Sequence, residues 1–172
     1  MGPVRPPAVA GTFYPADPGE LAAVVDRLLA EAEPASLDIE PILLVVPHAG
    51  YVYSGPVAAA AFRLVGADDR RFVMVGPSHF VSVAGMATPG AGGLATPLGV
   101  VTVDDELSAV AEAHHDVAPL ATAHAREHSL EVQLPFLQRT VSRASVLPLL
   151  TGDIAADRVA DVLEDALDLA GV

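Results

Sequence analysis

The sequence predicts an α/β protein with a mainly parallel central sheet and helices on both faces. Three observations carry this. Short, continuous apolar runs at residues 42–46, 72–75 and 145–150 have the length and composition of strands buried on both faces. Segments with the 3.6-residue apolar spacing of helices separate and follow them. Prolines, glycines and capping residues mark the changes of period.

Taken in order, Asp17-Pro18-Gly19-Glu20 opens the first helix. Asp17 suits the cap, Pro18 the first turn, and Glu20 the third position after the cap. Leu21, Val24, Val25, Leu28 and Leu29 then share one face. Pro34 and Pro41 bracket a short linker. The run 42–46 is the first predicted strand, stopped by Pro47. Ser54-Gly55-Pro56 reads as a helix start, with Val57, Ala61 and Leu64 inward, ended by Gly66 and the cluster Asp68-Asp69-Arg70-Arg71. The run 72–75 is the next strand. Strand, helix, strand at this spacing predicts a βαβ unit with a right-handed crossover.

Residues 83–87 and 99–103 are further strand candidates around the glycine-rich loop PGAGG at 89–93. Asp104 is placed to cap a helix with Leu107, Val110 and Ala111 inward. After Ser129, Leu130, Leu134, Leu137 and Val141 line one helix face, with a kink or a late start expected at Pro135. The third strand, 145–150, contains Pro148, which predicts an edge or a bulge. Asp153 is expected to cap a last helix. Val159, Val162, Leu163, Ala166 and Leu167 face the core, five acidic residues face solvent, and Gly171 ends it. A strand is the next element expected after Val172. The whole of 1–172 reads as one domain.

Composition narrows the function. The chain has 172 residues and is 52% apolar, so it is no disordered chain. A net charge of −13 argues against nucleic acid. Cysteine is absent, which removes thiolate metal sites, disulfides and a cysteine nucleophile. Lysine is absent too, so Schiff-base and P-loop lysine chemistry are excluded. No apolar run has the length of a membrane span, and the start lacks the pattern of a signal peptide, so a cytoplasmic protein is expected.

The chemistry-bearing residues are histidines. VVPHAG and VGPSHF each end an apolar run with a proline and then a histidine, His48 and His79. Each alone is explained as a loop cap. As a matched pair they fall beyond the carboxyl ends of two strands, where open parallel sheets bind ligands. Two imidazoles facing one cavity suit a divalent transition metal. In HAREHS, Glu127 and His128 are candidates for proton transfer or for a further ligand. His114 and His115 at a helix end are explained by the helix dipole. Gly76-Pro77-Ser78-His79-Phe80 fails as a nucleophile elbow because its last position is not glycine.

The stretches AGTFYP (10–15), PHAGYVYSG (47–55), GPSHF (76–80), TPLG (96–99), EHSLEVQLPFLQ (127–138) and PLLTGD (148–153), in this order, resemble the Memo family, also called AmmeMemoRadiSam system protein B. The resemblance implies a fold like that of the class III extradiol dioxygenases. It implies metal ligands at His48 and His79, with Phe13, Tyr51 and Ser78 lining the same pocket and Glu127 and His128 beside it. Iron or copper is the implied metal, and a metal-dependent oxidoreductase the implied activity. A non-catalytic binding protein for an anionic ligand or peptide, or an inactive short homologue, are the alternatives. Implied partners are a small molecule or peptide, a radical-SAM protein and an AMMECR1-like protein, with oligomers expected. Members of the family are longer. They carry a further strand ending in an S-S-D-x-S-H-type motif and a late cysteine, often the third metal ligand. By that comparison this chain is the first two thirds of a Memo-like domain, with the third ligand outside it.

Overall fold

The computed structural model describes residues 2–33, 36–39 and 41–171. In chain order its elements are β1 (Val4–Arg5), α1 (Pro18–Glu31), α2 (Tyr51–Phe62), β2 (Arg70–Pro77), β3 (Met86–Thr88), β4 (Gly93–Thr96), β5 (Gly99–Val103), α3 (Asp105–Glu112), β6 (Val117–Pro119), α4 (Ala121–His124), α5 (Leu134–Thr140), β7 (Ala144–Thr151) and α6 (Ala156–Ala170).

One strand organises the sheet. All eight residues of β2 pair in parallel with β7, from Arg70 opposite Ala144 to Pro77 opposite Thr151. The other edge of β7 is shared. At its start, Ser145 and Val146 pair in parallel with β5. At its end, Leu150 and Thr151 pair antiparallel with β3. From β5 the sheet continues to β4 and β1, and from β3 to β6. Four of the six pairings are parallel, giving the mixed, mostly parallel α/β architecture expected.

Alternate residues of β2 and β7 feed different cores, as the two-residue period of a strand requires. Phe72, Met74 and Val146 join a core with Leu21 and Val25 of α1, Tyr51 and Phe62 of α2, and Phe136 of α5. Val73, Leu147 and Leu149 join a second with Leu107 of α3 and Val162 and Ala166 of α6. Helices therefore cover both faces. Leu150, Ala87 and Leu130 build a third cluster under the loops at the strand ends.

Several local expectations hold. The Asp17 carboxylate accepts from the Glu20 N–H at 2.9 Å and caps α1. Asp104 accepts from the Leu107 N–H at 3.1 Å and caps α3. Pro135 delays its helix: residues Glu131–Gln133 form a 3₁₀ turn, and α5 begins at Leu134 with the proline in its first turn. Gly171 ends α6 in the left-handed conformation, at φ 81°.

Others are corrected. Residues 42–46 pair with no strand, and Ile42 and Val45 are 82% and 92% exposed, so the predicted crossover unit is absent among the described residues. The run makes no ladder hydrogen bond with any described residue, so it stays outside the sheet. α2 begins at Tyr51, three residues before the predicted start, with Pro56 inside it and Val57 exposed rather than inward. Pro148 lies in the central strand, not at an edge. It falls opposite the interval between Val146, where β5 stops pairing, and Leu150, where β3 begins. Gly93, the last residue of the glycine-rich stretch, opens β4. The position before α6 is Ala155, which has no capping side chain; Asp153 instead bridges to Ala84 through its backbone. Pro34 and Val172 lie outside the described residues.

Candidate metal centre

Three histidines meet where the strands end. His48 follows the unpaired apolar run and precedes α2. His79 follows β2. His128 lies in the loop between α4 and the 3₁₀ turn. One ring nitrogen from each lies within 4.8 Å of one from each of the others. The His79 and His128 rings stack at 4.6 Å between centroids, and His48 stands 5.3 Å from His79 and 5.8 Å from His128. A tetrahedral ion with bonds of about 2.1 Å would hold its ligand atoms about 3.4 Å apart, so modest side-chain closure brings the three into ligand range.

The loops that deliver them are tied together. Phe13, in the 9–14 loop, accepts the Tyr51 N–H on its carbonyl at 2.8 Å, and its ring packs 4.7 Å from His128. Gln133 Nε2 donates to the Pro47 carbonyl, just before His48, at 3.0 Å. Ser129 Oγ donates to the Pro77 carbonyl at 3.1 Å, two residues before His79. Gly76 permits this approach: a Cβ there would sit 2.8 Å from Leu130 Cδ2 and 2.9 Å from Ser129 Oγ.

Glu127 is the hub. Its Oε1 meets His79 Nδ1 at 2.8 Å and accepts from the N–H groups of His128 at 2.8 Å and Ser129 at 2.9 Å. Its Oε2 accepts from the His79 N–H at 2.6 Å. Burial pushes this carboxyl up, but the backbone and ring donors of His79, with the backbone donors of Ser129 and His128, together pull it down to about 2. An ionised carboxylate accepts only, so His79 Nδ1 is the donor in this bond, which leaves Nε2 as the nitrogen for a ligand. This is the carboxylate–histidine arrangement that orients imidazole ligands. His128 Nδ1 is buried and has no hydrogen-bond partner; it lies 3.4 Å from Glu127 Oε1 without the geometry of a bond. Burial, together with neighbouring His79 and His48, lowers the His128 pKa, so this ring is held neutral. A buried, neutral, orphaned nitrogen fits a metal ligand.

The other expected residues are engaged elsewhere. Tyr51 turns into the core, where its hydroxyl donates to the Val132 carbonyl at 2.8 Å and its ring packs 5.0 Å from Phe136. Ser78 Oγ closes a turn by donating to the Val81 carbonyl at 2.7 Å. Phe80 instead approaches the group, 6.0 Å from His128, with the Arg126 guanidinium over its outer face. His128 and Glu127, read from the sequence as proton-transfer groups, stand as a third imidazole and the carboxylate behind His79.

Sequence reasoning missed Arg5 and Glu131. Arg5 Nε donates to the His124 carbonyl at 2.7 Å and Nη2 to the Glu127 carbonyl at 2.6 Å, so it grips the loop on its approach to His128. Its Nη1 pairs with Glu131 Oε2 at 2.5 Å. Glu131, 2% exposed, also accepts from the N–H groups of Ala8 and Val9 and from the Tyr14 hydroxyl. Burial and that bond to Glu131 raise the Tyr14 pKa. The available signal was a glutamate inside an otherwise apolar stretch, Leu130-Glu131-Val132, where a solvated charge has no place.

Comparison with known proteins agrees with this picture. The model of Memo-like proteins matches residues 5–168. The chain belongs to the Memo family. A MEMO1 family protein of Aquifex aeolicus is 42% identical over 148 residues, covering 86% of this Memo chain and 54% of the relative. One from Thermococcus kodakarensis is 35% identical over 177 residues, covering 96% of this chain and 60% of the relative. The chain thus spans little more than half the length of these Memo relatives. No helix among the described residues is long and apolar enough to cross a membrane.

Proposed function

We propose that His48, His79 and His128 bind a divalent transition metal, iron or copper, in a metal-dependent oxidoreductase of the extradiol dioxygenase type. The convergence of three imidazoles, with Glu127 directing one of them, carries this reading. Bound there, such a metal would supply Lewis-acid and one-electron chemistry at positions left open by the protein.

The chain's own groups set the conditions. Glu127 fixes the tautomer of His79 and places a negative charge behind it. Phe13 and Phe80 pack around His128, fix its plane and keep water from one side. His79, with about a third of its side chain exposed, marks the side open to a ligand. Low ring basicity at His128 keeps its lone pair available near neutral pH. Imidazole ligands add no negative charge of their own to a bound metal ion, which suits an anionic, oxygen-bearing substrate.

The test is metal content after anaerobic purification. About one iron or copper per chain is expected, falling to background in His48→Ala, His79→Ala and His128→Ala. Glu127→Gln should retain the fold and bind metal about 10–100-fold more weakly. Metal content indifferent to all three histidine substitutions would refute the reading.

A further inference from the structure

The histidine group has an exposed rim, and the rim carries a positive charge. Phe80 is 51% exposed, and its ring stands 6.4 Å from that of His79 and 6.0 Å from that of His128. The Arg126 guanidinium lies over the Phe80 ring, 5.2 Å from its centre. One aromatic ring thus separates this cation from the imidazoles. No acidic side chain among the described residues pairs with it. Arg5, Arg71, Arg139, Arg143 and Arg158 each have such a partner. Arg27 and Arg63 have none among the described residues either, but neither stacks on a ring of the histidine group. Glu127, next in sequence, does not compensate Arg126. Its carboxylate is buried, and both oxygens are taken by His79, His128 and Ser129.

The backbone on either side of Arg126 is held. Arg5 donates to the carbonyls of His124 and Glu127, and the Glu127 N–H donates to the His124 carbonyl at 3.2 Å. A guanidinium stacked by its face keeps its edge N–H groups free, and that edge is a fork matched to a carboxylate. We propose that Arg126 determines specificity at this site by pairing with a carboxylate on the ligand, at the end away from the oxygens that reach the metal. This rests on the metal reading above and adds the charge its ligand carries. One guanidinium balances one negative charge. A dianionic phosphate would bring a second to a protein that already carries −13, so the monoanionic carboxylate is the better match.

The test loads the 172-residue chain with ferric iron and titrates it with hydroxamates that share one iron-binding end. Butanohydroxamate ends in a methyl group, succinate monohydroxamate in a carboxylate at the same position, and a third probe in a phosphonate. Each is used at several chain lengths, so reach does not decide the outcome, and affinity is read from the visible absorbance of the iron complex. At low ionic strength the carboxylate probe should bind about tenfold more tightly than the methyl probe. Arg126→Gln should abolish that preference while leaving methyl-probe affinity, iron content and the thermal melt unchanged. Arg126→Lys keeps the charge without the fork and should retain part of the preference. Equal affinity for carboxylate and methyl probes, or a preference that survives Arg126→Gln, would overturn the proposal and leave the metal reading intact. A phosphonate preferred over the carboxylate would overturn the assignment of the ligand's charge. A chain that takes up no iron would overturn the metal reading, and this proposal with it.

Discussion

Residues 42–46 and β7 are near twins in sequence. Both are short runs rich in valine and leucine, one followed by Pro47 and the other carrying Pro148 within it. Their fates are opposite. β7 has neighbours on both edges and helices over both faces, and Val146, Leu147, Leu149 and Leu150 are wholly buried. The run 42–46 pairs with no strand among the described residues; Val46 packs on the first core, but Val45 is 92% exposed. Hydrophobic composition states a demand for burial. Only the neighbours decide whether it is met.

The largest effect is expected in the covered half. Glu131→Gln leaves the Arg5 charge buried without its counter-ion and should cost about 3–5 kcal/mol in urea denaturation. A loss under about 1 kcal/mol would show that this pair contributes little to holding the loops. The twin runs give the next test. Leu149→Ala should cost about 2–5 kcal/mol by leaving a cavity, whereas Val45→Ser should change stability by less than about 0.5 kcal/mol. Similar losses at both positions would break the comparison.

The third prediction is a pH dependence. His124 is buried against β3, the neighbour of β7, and its Nε2 donates to the Ala87 carbonyl at 2.9 Å. Burial lowers its pKa to about 4, the Arg5 charge adding to this and the Ala87 bond and Glu127 opposing it. The unfolded chain, with a histidine pKa of about 6.5, binds this proton more readily than the folded one. The contribution is therefore complete above pH of about 6.5 and is lost as the pH falls toward 4, about 2–4 kcal/mol in all. His124→Leu should flatten that slope in stability measured across pH 4–7.

Much of the fold was legible. α1 and α3 were readable from apolar period and caps because both signals are local, and α5 from its period and the delaying Pro135. β2 and β7 were readable because continuous apolar runs of that length have few other uses. His48 does meet His79, but only His79 follows a strand, because the run before His48 pairs with none of the described strands. What failed depends on partners remote in sequence. Nothing within 42–46 says whether an adjacent strand is present. Nothing around Pro148 says that two short strands share one edge of β7 and leave an interval at the proline. His128 reaches the other histidines because Gly76 lets the 128–130 loop press against the end of β2, a contact between positions far apart in the chain. Arg5 was the least legible of all, an isolated charge among prolines whose purpose appears only beside Glu131.

That last contact bears on the order of assembly. Arg5 and Glu131 are 126 positions apart, and Arg5 also reaches the carbonyls of His124 and Glu127. Closing so long a loop is entropically costly and slow compared with helix formation. During synthesis the first five residues must wait until residue 131 has emerged before the clamp can close. The loop carrying His128 can therefore be gripped by Arg5 only once most of the chain has been made. Until then His48 and His79 meet no fixed third imidazole.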